Sequence, residues 1–483
     1  MPEAARHYDV IVLGSGTSGG VAGQILAEAG AKVLMLEAGK HYTAQDFPMA
    51  EAEYSPRLYW GGGLEYNTRV KLAFLRGRCV GGGSVVNGAL MDRFDEVALD
   101  DFRAESGCDF FTKEAMAPHY DYAESAISIV TIPEAHRNNN TRTFIEGADR
   151  CGYAWKPMKR CQTDCATERG NDCMACLGGC HRDSKQSTLA TYVPRALAAG
   201  MELASECFVH RIEHAPDGVT VYARQQGQER IWQAGKVILA LGAFGTSQLL
   251  LNSGFKDRLP AVGTRVSMHP QYMSFAEFDH EVDAHKGVLQ GAGSDDARFR
   301  PRGFKLESVF APPISVGVLS EKTGRPLQEF LRNYRHFACM EVAVRDEAVG
   351  ELQTNRTGRL RILKDLTDQD RARARDGLGV IREILGSLNP RQFHEFDWAF
   401  GLHLMGGCCM GQDARTNVVA PDFTVHDHPN LLCADSSVFP NAPGINPALT
   451  IMALSHRMAS ALAGEQPVPW QAQASPPASI PAT

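Results

Sequence analysis

The chain has 483 residues, 44% of them hydrophobic and 22% charged, with a formal net charge of −7. That length has room for about three domain-sized units and a large core. The balance excludes the basic footprint of a nucleic-acid binder and a polybasic membrane patch, and no apolar run reaches the roughly 18 residues of a membrane span.

Residues 8–13, YDVIVL, read as a buried parallel strand, a short apolar and β-branched run with Gly behind it. The strand starts at Tyr8 and leaves no room for a signal peptide, so the expectation is a cytoplasmic protein. A helix over 19–30 follows, and KVLMLEAG (32–39) is the next strand, completing a βαβ unit. Gly14-x-Gly16-x-x-Gly19 lies between strand and helix, with Glu37 ending the second strand 18 residues after Gly19. Gly14 permits the tight turn, Gly16 lets the backbone approach a pyrophosphate, and Gly19 lets helix pack on strand. Phosphates then rest on N–H groups at the positive end of the helix, and Glu37 accepts hydrogen bonds from the ribose hydroxyls. This predicts dinucleotide binding but does not separate NAD from FAD.

A glycine-dense stretch covers 61–88, and the 60–75 segment, with Trp60 and Tyr66, is placed as a cover over a pocket. Acidic, helical text runs from 92 to 130. Five of the thirteen cysteines then fall together, as Cys161-x3-Cys165-x7-Cys173-x2-Cys176-x3-Cys180. An odd total in a reducing compartment argues against a disulfide framework. Cys173, Cys176 and Cys180 present three thiolates from one tight loop, with Cys161 and Cys165 as further candidates. Three readings stand: an iron–sulfur cluster, a zinc site, or a reduced structural loop.

KVILALGAFGTSQLLLNSG (236–254) reads as another strand, glycine turn and helix of the first sheet. Alternating segments such as SFAEFDH and FACMEVAVRD, with a charged helix at 367–387, predict an antiparallel sheet with helices. The expected fold class is α/β. Residues 1–100, 185–261 and 400–465 form a discontinuous nucleotide-binding domain, and 101–184 is a connecting segment. Residues 262–399 form an inserted α+β substrate domain, and the Pro/Ala/Ser-rich tail 466–483 is disordered.

The remaining motifs carry a family likeness. GRCVGGGSVVNGAL (77–90), ALGAFGTSQLLLNSG (240–254), the run His403 to Gly411, Ala434-Asp435-Ser436-Ser437, and Asn446-Pro447 are similar to those of the glucose–methanol–choline (GMC) flavoprotein oxidoreductases. The resemblance implies a Rossmann-like domain holding FAD. It implies that Val80, Gly81, Ser84, Asn87, Gly88 and Ala89 line the flavin and pyrophosphate, with Val209 by the adenine. The expected cofactor set also takes in Thr17, Ser18, Ala38, Arg78, Gly82, Ala240, Gly242, Asp435, Ser436, Asn446 and Pro447. Gly407 stands where the family usually has a hydroxyl residue, and Cys409 where Arg is common. Some dehydrogenases of the family carry an iron–sulfur cluster on cysteines placed like Cys173, Cys176 and Cys180. Here Cys180-His-Arg-Asp-Ser-Lys185 lacks the Pro-x-Gly that usually follows the last cysteine.

Oxidising an alcohol requires loss of the hydroxyl proton as hydride leaves the carbon for flavin N5. His403, an imidazole titrating near neutrality, is the expected base. Asn446 is the expected donor to the developing alkoxide. Pro447 suits the first turn of the final helix, whose positive end stabilises reduced flavin. His269, in SMHPQY, is the candidate to support His403 from behind, whereas His426, His428 and His456 read as structural. The expected activity is oxidation of a CH–OH group in an alcohol or sugar. Oxygen, a quinone or a redox partner protein is the electron acceptor. A lyase that keeps FAD without net redox, with His403 as acid and base, is the competing reading.

Overall fold

The computed structural model describes residues 6–165 and 175–464. The tail 466–483 lies outside them. Two sheets organise the chain. In the first, strands Arg6–Leu13, Val33–Leu36, Glu202–Ala204, Gln228–Leu239 and His428–Cys433 are parallel neighbours. An antiparallel arm, Cys207–Ala215 and Gly218–Gln225, extends from Gln228–Leu239. Val33–Leu36 is buried at every position, as a strand covered on both faces must be.

The helix after the first strand spans Thr17–Glu28, beginning two residues before its predicted start, and is buried throughout 18–27. A helix apolar all round belongs inside. It packs against the last helix, Ala448–Ala463, and Ser455 Oγ donates to the Ser18 carbonyl at 2.7 Å. The first and last described helices therefore meet. At Gly14, φ is 95°, and a Cβ there would lie 2.4 Å from the Ala240 carbonyl oxygen. No other residue makes that turn without displacing the backbone at Ala240.

The second sheet has nine strands built around Thr264–Glu277, Phe337–Val344 and Ala399–Gly407. Four of its pieces lie outside the predicted 262–399 domain, among them Glu65–Tyr66, which pairs with Leu72–Phe74. Leu72–Phe74 pairs in parallel with Ala399–Gly407, which itself runs on past 399, and Trp155–Pro157 pairs with Ala292–Ser294. Strand pairing crosses the boundary because short strands at 72–74 and 155–157 carry too little periodicity to show their partner. Phe337–Val344 is buried at all eight positions rather than on alternate ones. Helix Asp368–Gly386, closed by a Thr367–Asp370 capping box, packs on that sheet. Among the described residues no helix is long and apolar enough to cross a membrane.

Candidate active site

A continuous cavity lies between the two sheets. Of the predicted cofactor residues it is lined by Gly14, Gly16, Thr17, Ser18, Glu37, Ala38, Gly82, Asn87, Gly88, Val209, Ala240, Gly242, Asp435, Ser436, Asn446 and Pro447, together with His403. Six others do not line it, and each has a different task. A Cβ at Gly19 would sit 1.9 Å from the Gly14 carbonyl oxygen, so Gly19 serves helix packing. Val80 and Ala89 are fully buried in the core. The Gly81 N–H donates to Ser15 Oγ at 2.9 Å. Ser84 Oγ donates to the Gly81 carbonyl and accepts from Thr188 N–H. Arg78 places its guanidinium over the Trp60 ring, 5.0 Å from its centroid. Trp60 does line the cavity, whereas Tyr66 packs at a tilt against Trp398 instead.

The walls fit a dinucleotide. A Cβ at Gly82 would stand 3.1 Å from Gly16 Cα, so the two glycine loops touch where both border the cavity. Glu37 accepts from Ser15 N–H at 3.1 Å, Ser15 Oγ at 2.7 Å and Gly39 N–H at 2.8 Å. Burial pushes its pKa up, and those donors oppose the rise. Glu37 thus braces the turn as well as bordering the site. Asp435 accepts from Gly242 N–H at 2.8 Å and Thr246 Oγ1 at 2.7 Å, fixing the start of helix Gly242–Asn252.

His403 reaches the cavity through a backbone irregularity. The pairing of Thr264–Glu277 with Ala399–Gly407 sets Ser267 opposite Met405 and His269 opposite Leu402. One extra residue therefore bulges at 403–404, and His403 takes a left-handed φ of 54°. Its Nε2 lies 3.5 Å from Asn446 Nδ2, and its Nδ1 lies 2.9 Å from His269 Nδ1. Burial, and then the nearby Lys305 ammonium, lower its pKa to about 4. His269 is fully buried, and burial followed by His403, Lys305, Arg345 and Arg300 drives its pKa well below the usual range.

A buried charged wall stands behind Asn446, and it was not foreseen. Lys305 Nζ donates to both Glu307 Oε1 and Asn446 Oδ1. Gln290 Nε2 donates to Glu307 Oε2 at 3.0 Å and Glu341 Oε1 at 3.4 Å. Burial raises both carboxyls, but the Lys305 ammonium outweighs it for Glu307, which stays below the usual range. Burial, and then the neighbouring Glu307 carboxylate, hold Glu341 well above the usual carboxylate range. Glu341 and Gln290 line the cavity; so do Met273, Val309, Phe310, Leu319 and Phe400.

Of the cysteine candidates, Cys173 lies outside the described residues. Cys165 Sγ lies 3.0 Å from Ser184 Oγ, Cys176 Sγ accepts from Arg160 Nη2 at 3.7 Å, and Cys180 Sγ accepts from Lys185 N–H at 3.5 Å. Burial raises the pKa of Cys161 to about 11. Among the described residues no group of three or more His, Cys, Asp or Glu side chains could hold a metal ion. Lys185 is instead the centre of this region. Its buried ammonium donates to the carbonyls of Val85 and Asn87 at 2.8 Å each, and to that of Cys176. It joins the cysteine loop to the second glycine loop. His456 meets His119, Nδ1 to Nδ1, at 2.9 Å and stacks on Tyr122 in the core.

A parallel sheet with a glycine turn at a helix N-terminus, opening on an imidazole and an amide, defines an enzyme built around a nucleotide cofactor. Sequence profiles of GMC oxidoreductases match residues 55–271 and 351–455, and the chain belongs to that family. An uncharacterised GMC-type oxidoreductase of Sinorhizobium fredii is 29% identical, with 95% of each chain covered. A long-chain-alcohol oxidase of Arabidopsis thaliana is 25% identical over 94% of this chain and 67% of its own length. In fold, the chain is similar to the crystal structure of a pyridoxine 4-oxidase, with a TM-score of 0.76. The identity there is 15%, with 95% of this chain and 100% of the other covered. FAD is the cofactor that the family and the cavity walls support.

Proposed function

We propose that the chain oxidises the CH–OH group of an alcohol whose body is largely apolar. The observation that carries this reading is the pairing of His403 Nε2 with Asn446 Nδ2, 3.5 Å apart at the cavity wall. Two nitrogens at that spacing can both reach one carbinol oxygen. When bound, FAD supplies the hydride acceptor, N5 of its ring. Gly14, Gly16 and Gly82 would hold its phosphates, with Glu37 at the ribose. Asn446 donates to the carbinol oxygen as negative charge gathers there, its own oxygen anchored by Lys305. His403 handles the hydroxyl proton, in a site that keeps its imidazole neutral at pH 7. The N-terminus of Ala448–Ala463, bordering the cavity at Pro447 and Ala448, favours negative charge by about 0.3–2 kcal/mol. Met273, Val309, Phe310, Leu319 and Phe400 offer an apolar wall to the substrate's body, and the long-chain-alcohol oxidase relative supports that choice.

The test is anaerobic mixing of the FAD-loaded protein with primary and secondary alcohols of increasing chain length. The expected result is loss of the yellow absorbance of oxidised flavin, fastest with apolar alcohols. A cofactor that stays yellow with every alcohol, while substrate is cleaved, would establish the lyase reading instead.

A further inference from the structure

His403 is not alone: a second histidine stands behind it, and the pair has a countable set of protons. The Gly444 N–H donates to His269 Nε2 at 2.9 Å. A backbone N–H can only donate, so His269 Nε2 must offer its lone pair. The loop bearing Gly444 is pinned in that orientation. Arg300 donates to the Pro443 carbonyl at 2.9 Å, Arg345 to that of Ala442 at 3.1 Å, and Arg265 to that of Pro440 at 3.1 Å. Gly444 has a φ of 76°, and a Cβ there would meet Arg345 Cδ at 2.8 Å.

The remaining assignments follow in order. A neutral imidazole carries one N–H, so that of His269 sits on Nδ1 and points at His403 Nδ1, 2.9 Å away. His403 Nδ1 is then an acceptor, and the one proton of neutral His403 belongs on Nε2. The far end agrees. Lys305 Nζ claims Asn446 Oδ1, which turns the Asn446 amide N–H₂ toward His403 Nε2. Their separation, 3.5 Å, is long for a hydrogen bond and leaves both nitrogens able to turn their N–H groups to a third atom.

We infer that His269 is a positioning residue that fixes the proton of neutral His403 on Nε2. The resting site then presents two N–H donors, His403 Nε2 and Asn446 Nδ2, to one substrate oxygen. This deepens the alcohol-oxidation reading and rests on it for the substrate. His403 takes a proton at Nε2 only from the other tautomer, in which His269 Nε2–H confronts Gly444 N–H. Burial, and then the surrounding cations Lys305, Arg345 and Arg300, keep His269 from resolving that conflict by becoming charged.

The test is long-range ¹H–¹⁵N correlation NMR on ¹⁵N-histidine-labelled, FAD-loaded protein at pH 7, with His403 assigned by His403→Gln. The expected spectrum shows a protonated Nε2 and a bare Nδ1 on His403. A bare Nε2 with a protonated Nδ1 would overturn the inference. In His269→Leu the tautomer preference should relax to a mixture, seen as a second, bare-Nε2 signal for His403, with kcat altered and KM changed less. An unchanged wild-type tautomer and kcat in that variant would also overturn it. The wild-type spectrum decides by itself if the variant does not fold. It needs no turnover, so a failed alcohol panel and a failed tautomer assignment are separate results.

Discussion

Lys364 and Asp346 form an ion pair at 2.7 Å with both side chains at 0% exposure. Asp346 also accepts from Met268 N–H at 2.9 Å, the residue before His269, while Lys364 donates to the Glu347 carbonyl at 2.7 Å. Replacing Lys364 by Met keeps the stem's volume but strands a carboxylate in the core. Removal of one partner of a buried pair costs about 3–5 kcal/mol, because nothing offsets the charge left behind. The pH gives a second handle. Burial already lifts Asp346 to about 7, against the pull of Lys364. Without Lys364 the carboxyl rises further and refolds with a proton on it. A folded pKa above the unfolded one means stability that is present at low pH and lost as pH rises. The deficit of Lys364→Met should therefore be smaller at pH 5 than at pH 8, read from urea-denaturation midpoints. The double variant Lys364→Met/Asp346→Leu should regain most of the loss, since an apolar pair of similar volume carries no desolvation cost. A single variant within about 1 kcal/mol of the parent at pH 8 would refute this reasoning. So would a double variant less stable than the single.

Lys185→Met orphans three carbonyls at once and should cost about 2–4 kcal/mol, with faster release of FAD seen as rising flavin fluorescence. Gly407→Ser restores the hydroxyl residue usual in the family, but here its Cβ would meet Ser247 Oγ at 2.2 Å. Expect a loss of about 1–3 kcal/mol in thermal denaturation, partly recovered by adding Ser247→Gly. Among the buried histidines, burial holds His403 and His119 near 4, His456 near 3, and His269 well below the usual range. Because these folded pKa values lie below the unfolded value, their stabilisation is complete above about pH 6.5 and is lost as the pH falls. Each contributes up to about 1.4 kcal/mol per pH unit, so denaturation midpoints measured from pH 7 to pH 4 should drop steeply. Asn446→Ala removes the amide donor and should lower kcat about 10²- to 10³-fold in steady-state assays with a reactive alcohol.

The two ends of the site were legible because each is a local signal. Gly14, Gly16 and Gly19 announce a turn between strand and helix, and at Gly14 and Gly19 an added Cβ would strike backbone. The charged wall was not legible, and the pleat explains why. Lys305 and Glu307, two apart in FKLES, share one face of their strand. Read alone, a charged face means solvent. Here Asn446, 141 residues downstream of Lys305, turns that face into the floor of a site, with Lys305 bonded to its side chain. The bulge at His403 was hidden for a similar reason. A one-residue mismatch exists only between two strands, and neither strand's text contains it. The same holds for His269: its role comes from the Gly444 N–H and from three arginines that hold the loop carrying it. Sequence names the imidazole that borders the cavity. Which of its nitrogens carries the proton is decided by groups that are distant in sequence and meet only after folding.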